Sequence, residues 1–150
     1  MTGKVISWLL VILWMALIFY LSHQPATESN SLSTGITERI VAIIERLTSD
    51  IDFDVSNFNH IIRKNAHFFA YLVLGILVSD ALKGNGFKGS NRFIIALAIC
   101  ILYAISDEVH QLFIPGRAGQ VKDVIIDSAG AVVGIGGSLV IRKLKNRLVR

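Results

Sequence analysis

Residues 106–130 read SDEVHQLFIPGRAGQVKDVIIDSAG and place four carboxylates beside two strongly apolar segments. Asp107 and Glu108 follow the first apolar segment, and Asp123 and Asp127 lie at the start of the second. Ionisable side chains are costly in or against hydrocarbon, and chains that retain them usually use them. We therefore expect the rest of the chain to be arranged around this stretch.

The composition indicates an integral membrane protein. Of the 150 residues, 53% are hydrophobic and only 17% are charged, whereas soluble domains have about 25% charged residues. The single cysteine, Cys100, lies within an apolar run, which excludes a disulfide framework within one chain and metal sites built from paired cysteines. The net charge of +4 does not indicate nucleic acid as a partner, because the basic residues collect at helix ends rather than in a patch interleaved with aromatic residues.

Four apolar runs predict an all-α membrane protein, a four-transmembrane-helix bundle that forms one domain over residues 1–150. The expected spans are about 5–21, 66–82, 93–114 and 123–141. The third span must continue beyond its apolar run, because Asp107 lies about 21 Å along it in a hydrocarbon core about 30 Å thick. The first span has a cleaved signal peptide as its alternative, although it is longer than a usual signal sequence and lacks an A-x-A cleavage site.

Two further features concern the segment between the first two spans and the orientation of the bundle. Residues 36–47 alternate apolar and charged positions at helical spacing, which predicts an external amphipathic helix lying on the membrane or on the bundle. The N-terminus, the connector 83–92 and the C-terminal tail are basic, and residues 22–65 are acidic on balance. This distribution predicts a multi-pass protein of the cell membrane with both termini in the cytoplasm.

Rotation of about 100° per residue groups the polar side chains on one face of each span. In chain order, these faces carry Lys64, His67 and Tyr71; Tyr103, Asp107, His110 and Gln111, with Glu108 to one side; and Asp123 and Asp127. Small residues allow close helix approach, so the stripe of Gly130, Gly134 and Gly137 should face the bundle. We therefore expect three helices to direct polar groups at one outer pocket.

The types of residue in this pocket leave several kinds of chemistry open. Lys64 and Arg117 suit a phosphate or carboxylate, which arginine can bind through two parallel hydrogen bonds. The carboxylates and histidines could provide general acid and base groups or ligate a divalent metal, but no known metal or nucleophile motif is present. We expect no cofactor. Any one of these residues alone could be structural, as an interhelical hydrogen bond or a helix cap, whereas the whole set favours a functional site.

Three of these patterns resemble the VanZ-like family of small bacterial membrane proteins. They are K-x-x-H-x-x-x-Y from Lys64, D-E-x-H-Q-x-F-x-P-G-R from Asp107 and D-x-x-x-D-x-x-G from Asp123. The S-H-Q-P stretch from Ser22 is also similar to that family, and the resemblance covers about residues 5–141. One departure is Asp127, where many relatives are expected to have asparagine.

The resemblance implies a link to resistance against teicoplanin and other lipidated glycopeptide antibiotics, and it leaves two hypotheses. In the first, the outer pocket binds the drug or a lipid-linked cell-wall precursor, with membrane lipids as neighbours. Its ligand-binding residues are Lys64, His67, Tyr71, Gln111, Arg117 and Asp127. In the second, the protein is an outer-leaflet enzyme acting on an anionic lipid or cell-wall intermediate. Its catalytic residues are Asp107, Glu108, His110 and Asp123.

Overall fold

The computed structural model describes residues 2–27, 34–35, 39 and 55–148, with only the backbone described for residues 55–60 and 146. This part of the chain is built from helices and has no strand: α1 (Thr2–Ser22), α2 (Val55–Gly84), α3 (Gly89–Gln111) and α4 (Val121–Leu148). The predicted amphipathic helix at 36–47 lies outside the described residues.

Each helix contains a segment long and apolar enough to cross a membrane. These segments are Thr2–Ser22, Ile61–Gly84, Gly89–Gln111 and Val121–Lys145. The predicted all-α bundle of four transmembrane helices is therefore confirmed. In α1, the side chains of Val11 and Ile18 are buried in the core, which supports the interpretation of this segment as a helix of the bundle.

The helix ends differ from the expected spans for local reasons. The helix α2 begins at Val55 rather than near residue 66, because residues 55–65 contain no glycine or proline that would interrupt the helix. The helix α3 ends at Gln111 rather than at 114, since Pro115 disfavours the helical conformation of the residue before it. The N–H groups of Leu112 and Phe113 instead make tight-turn hydrogen bonds to carbonyls three residues earlier.

The four helices alternate in direction, so each end of the bundle collects two N-termini and two C-termini. The site end holds Ser22, Gln111 and Asp123, and the opposite end is marked by a contact between Lys4 and the position of Gly84. Two hydrogen bonds fix α1 laterally. The indole N–H of Trp14 donates to the carbonyl of Ala70 at 2.8 Å, and the Tyr103 hydroxyl donates to the carbonyl of Met15.

Helix α4 packs closely against α2 through glycines. A Cβ at Gly130 or Gly134 would collide with the backbone of Phe68 or Leu72, respectively. The prediction that these two glycines face the bundle is confirmed. It was wrong for Gly137, which has nothing within 4 Å of its Cβ position. The buried stripe continues instead at Ser138, whose hydroxyl lies 2.9 Å from that of Ser79, so side chains rather than backbones meet there.

Candidate functional site

A cleft of about 150 Å³ lies at the site end, between α2, the end of α3, the start of α4 and the loop that joins α3 to α4. The side chains of Arg63, Lys64 and Arg117 supply positive charge to its wall, and Asp123 supplies negative charge. The remaining lining residues are His67, Gln111, Gly116, Ala118, Gln120 and Ile126. The cleft therefore has a cationic mouth, and His67 and Gln111 connect it to deeper carboxylates.

Three carboxylates are buried at this end of the bundle. Asp107, Glu108 and Asp127 are only 2%, 5% and 0% exposed. Buried carboxylates are strongly destabilising unless hydrogen bonds or opposite charges compensate for the lost hydration. The partners of each carboxylate therefore determine what the site can do.

Asp107 of α3 is held from α1. The Ser22 hydroxyl donates to Asp107 Oδ2 at 2.8 Å, and the Gln111 amide donates to the same oxygen at 3.4 Å. The other oxygen, Oδ1, is buried without a hydrogen-bond partner among the described residues. One oxygen of this carboxylate is thus held by two donors, and the other has none among the described residues.

Glu108 is held by the loop between α3 and α4. The backbone N–H of Gln120 donates to Glu108 Oε2 at 2.8 Å, and the Gln111 amide donates to Oε1 at 3.2 Å. This close approach requires glycine at position 119, because a Cβ there would collide with the carbonyl of Glu108 and with Leu112. Both oxygens of Glu108 have partners, which makes its carboxylate a structural tie for the loop.

Gln111 links the carboxylates to the cationic mouth. Its amide nitrogen faces Asp107 and Glu108, and its amide oxygen accepts a hydrogen bond from Arg117 at 3.4 Å. A neutral amide suits this position, since it presents donors to the acids and an acceptor to the guanidinium. The side chain of Gln111 therefore connects Arg117 with Asp107 and Glu108.

Arg117 also fastens the loop to the end of α1. Its Nε donates to the carbonyl of Gln24 at 2.8 Å, and one terminal nitrogen donates to the carbonyl of Leu21 at 3.2 Å. A cation at a helix C-terminus is favourable because it opposes the partial negative charge of the unpaired carbonyls. Burial lowers the pKa of Arg117, and Arg63 lowers it further. The side chain stays charged, because the ordinary pKa of arginine is far above neutral.

Two basic side chains of α2 each lie close to a carboxylate of α4. Lys64 Nζ lies 3.4 Å from Asp123 Oδ1, and both side chains are partly exposed. Deeper in the bundle, His67 Nδ1 lies 3.7 Å from Asp127 Oδ1, which is an ion-pair distance but longer than a hydrogen bond. Neither oxygen of Asp127 has a hydrogen-bond partner among the described residues, and the buried hydroxyl of Tyr71 has none either.

His110 lies apart from the cleft and faces α1. Its Nε2 is 3.1 Å from His23 Nδ1, and its ring stacks on Phe19 with centroids 4.4 Å apart. Its proposed role in acid–base chemistry is unsupported by any contact with the buried carboxylates and stays a prediction.

Among the residues whose positions are described, no three His, Cys, Asp or Glu side chains are close enough together to hold a metal ion.

The structure thus brings most of the predicted site residues to one end of the bundle. Lys64, His67, Gln111, Arg117 and Asp123 line the cleft. Sequence reasoning missed Ser22 and Gln120 as partners of the acids. Ser22 could have been identified from the S-H-Q-P stretch after the first span. Gln120 could not be identified from its residue type, because it acts through its backbone N–H.

The pattern of residues can be compared with known proteins. The sequence profile of the VanZ/LLP1 family matches residues 7–142, which is most of the chain. No curated protein and no solved structure is significantly similar to it. The matched region contains all four membrane-spanning segments except their outermost residues, together with every residue of the cleft. The protein therefore belongs to the VanZ/LLP1 family.

Proposed function

We propose that this protein lowers the susceptibility of the cell to teicoplanin and other lipidated glycopeptide antibiotics. In this proposal it resides in the cell membrane with both termini in the cytoplasm, so that the cleft opens to the outside. The cleft then binds the drug or a lipid-linked cell-wall precursor at the level of the lipid headgroups. Family membership supports the first part of the proposal, and the excess of Lys and Arg in the connector and the tail supports the orientation.

The observation that carries the proposed binding role is the cationic mouth of the cleft beside exposed apolar side chains. Arg63, Lys64 and Arg117 suit a phosphate or carboxylate. Phe113 and Val121 lie in the sequence before and after the loop residues that line the cleft. Their side chains are 78% and 79% exposed. A ligand with an anionic head and a hydrocarbon chain fits such a combination, because the head meets the cations while the chain stays in the lipid.

The test compares cells that produce the protein with cells that lack it. We expect a higher inhibitory concentration of teicoplanin in the producing cells, and a smaller change for a glycopeptide without an acyl chain. Equal inhibitory concentrations of teicoplanin in the two strains, with the protein present and folded in the membrane, would contradict the proposal.

A second candidate function, an outer-leaflet enzyme, is favoured by the buried oxygens of Asp107 and Asp127 that lack hydrogen-bond partners. A carboxylate with a free oxygen, near His67, has the features of a general base. Its substrate would be an anionic lipid or cell-wall intermediate. Mass spectrometry of lipids and precursors from cells with wild type, Asp107→Asn or no protein tests this candidate. A species that changes with wild type but not with Asp107→Asn supports catalysis, and identical profiles in all three argue against it.

A further inference from the structure

A second groove, of about 690 Å³, lies at the end of the bundle opposite the cleft. It runs between the end of α2, the start of α3 and the end of α4. Five basic side chains line it: Lys83, Arg92, Arg142, Lys143 and Lys145. None of the acidic residues in the described part of the chain lines this groove. It therefore has a large excess of positive charge.

One carboxylate lies close to the groove without neutralising it. Asp80 forms an ion pair with Arg142. The remaining four cations have no carboxylate among the ion pairs of the described residues. Two of them, Lys83 and Lys145, lie in the last turns of their helices, where they also oppose the negative end of the helix dipole. The net field in the groove attracts an anion.

Arg92 distinguishes the groove from an ordinary basic membrane border. Its side chain is buried, with only 6% exposure, and its Nε has no hydrogen-bond partner among the described residues. A basic residue that only marks the membrane border extends into water, where its charge is hydrated. A buried guanidinium with an unused donor is costly, and an anion held in the groove would satisfy it.

Two apolar side chains also line the groove. Leu139 and Ile141 line it, and Ile141 is 67% exposed. Leu144, one turn from Ile141, is 54% exposed on the same helix. Cations at the helix ends beside exposed aliphatic side chains match a phosphate with hydrocarbon chains attached, rather than a soluble anion.

We propose that this groove binds the phosphate of an anionic phospholipid, with Arg92 as its buried anchor and Lys143 and Lys145 at its entrance. The bound lipid ties the ends of α2, α3 and α4 together and completes the charge balance of this end of the bundle. The inference does not depend on the function proposed for the cleft at the other end, and its test uses no antibiotic.

The experiment measures thermal unfolding of the purified full-length protein in detergent with added lipid. A ligand that binds only the folded state raises the unfolding temperature with its concentration. We expect phosphatidylglycerol to raise this temperature more than phosphatidylcholine, and inorganic phosphate at the same concentration to have little effect. Equal effects of the two lipids contradict the proposal, and a full effect of inorganic phosphate overturns its lipid part.

Variants of the groove test whether phosphatidylglycerol stabilises the protein by binding there. The exposed pair Lys143→Gln/Lys145→Gln should fold normally and lower the apparent affinity for phosphatidylglycerol about 25-fold, since each basic side chain near an anionic surface contributes roughly fivefold. Arg92→Gln should abolish the selective stabilisation. Lys88→Gln is the matched control, because Lys88 is an exposed lysine at the same end that does not line the groove. If Lys88→Gln weakens the effect as much as the lysine pair does, only general charge attraction is present and the site is refuted.

Discussion

The Ser22 hydroxyl, at the last residue of α1, donates a hydrogen bond of 2.8 Å to Asp107, which is buried near the end of α3. This bond joins the ends of α1 and α3, which also meet through the stacking of His110 on Phe19. It also explains why the serine that ends the first span belongs to the same site as the D-E-x-H-Q stretch.

Ser22→Ala should lower the free energy of unfolding by about 1–3 kcal/mol, because it leaves a buried oxygen of Asp107 without its closest donor. Thermal or denaturant unfolding in detergent measures the change. Ser106→Ala is the matched control, since that exposed hydroxyl only donates to a carbonyl of its own helix. Equal stability of Ser22→Ala and Ser106→Ala would show that the bond contributes nothing.

Gly134→Leu should lower both the folded yield and the thermal stability, because any Cβ there meets the backbone of Leu72. Overpacking of a close contact costs about 1–3 kcal/mol or more. Gly137→Leu, one turn away, has open space at its Cβ position and should be nearly neutral. Equal yield and stability of the two variants would contradict the close contact of α4 with α2 at Gly134.

Arg117→Lys should destabilise the protein although the charge is kept. The guanidinium donates to the carbonyls of Gln24 and Leu21 and to the side chain of Gln111, and a lysine cannot reproduce this fork. We expect a loss of about 2 kcal/mol, as for hydrogen bonds from charged donors. If Arg117→Lys has wild-type stability, the side chain of Arg117 contributes only its charge and not its hydrogen bonds.

The orientation of the bundle is tested with reporter fusions. Fusions after Asp52 should report an external location, and fusions after Gly86 and Arg150 a cytoplasmic one, because the basic residues favour the cytoplasmic side. A cytoplasmic reading after Asp52 would place the cleft inside the cell and remove the basis for its proposed ligands.

Much of the architecture could be predicted because it follows from local patterns. The apolar runs gave the four helices, and helical spacing placed Lys64 and His67 on the same face. Contacts between distant segments were not predictable in this way. The pairing of His110 with His23 depends on the position of α1, and the hydrogen bond to Glu108 comes from the backbone of Gln120. The glycine stripe ends where the contact between α2 and α4 changes from backbone to side chains. That point depends on how the two helices pack.

The central claim is that the cleft at the site end mediates tolerance to lipidated glycopeptides, and variants of the cleft test it most directly. The measurement is the inhibitory concentration of teicoplanin in cells that produce equal, folded amounts of each protein. Lys64→Gln removes a cation of the mouth, and Asp107→Asn removes a buried carboxyl group while keeping an oxygen that can accept from Ser22. Lys122→Gln is the control, because this exposed lysine beside Asp123 does not line the cleft.

Lys64 pairs with Asp123 near the surface, and such pairs contribute at most about 1 kcal/mol to stability, so loss of function in Lys64→Gln reflects the site rather than the fold. We predict that Lys64→Gln and Asp107→Asn lower the inhibitory concentration toward that of cells without the protein, while Lys122→Gln retains the wild-type value. Wild-type values for both cleft variants would contradict it.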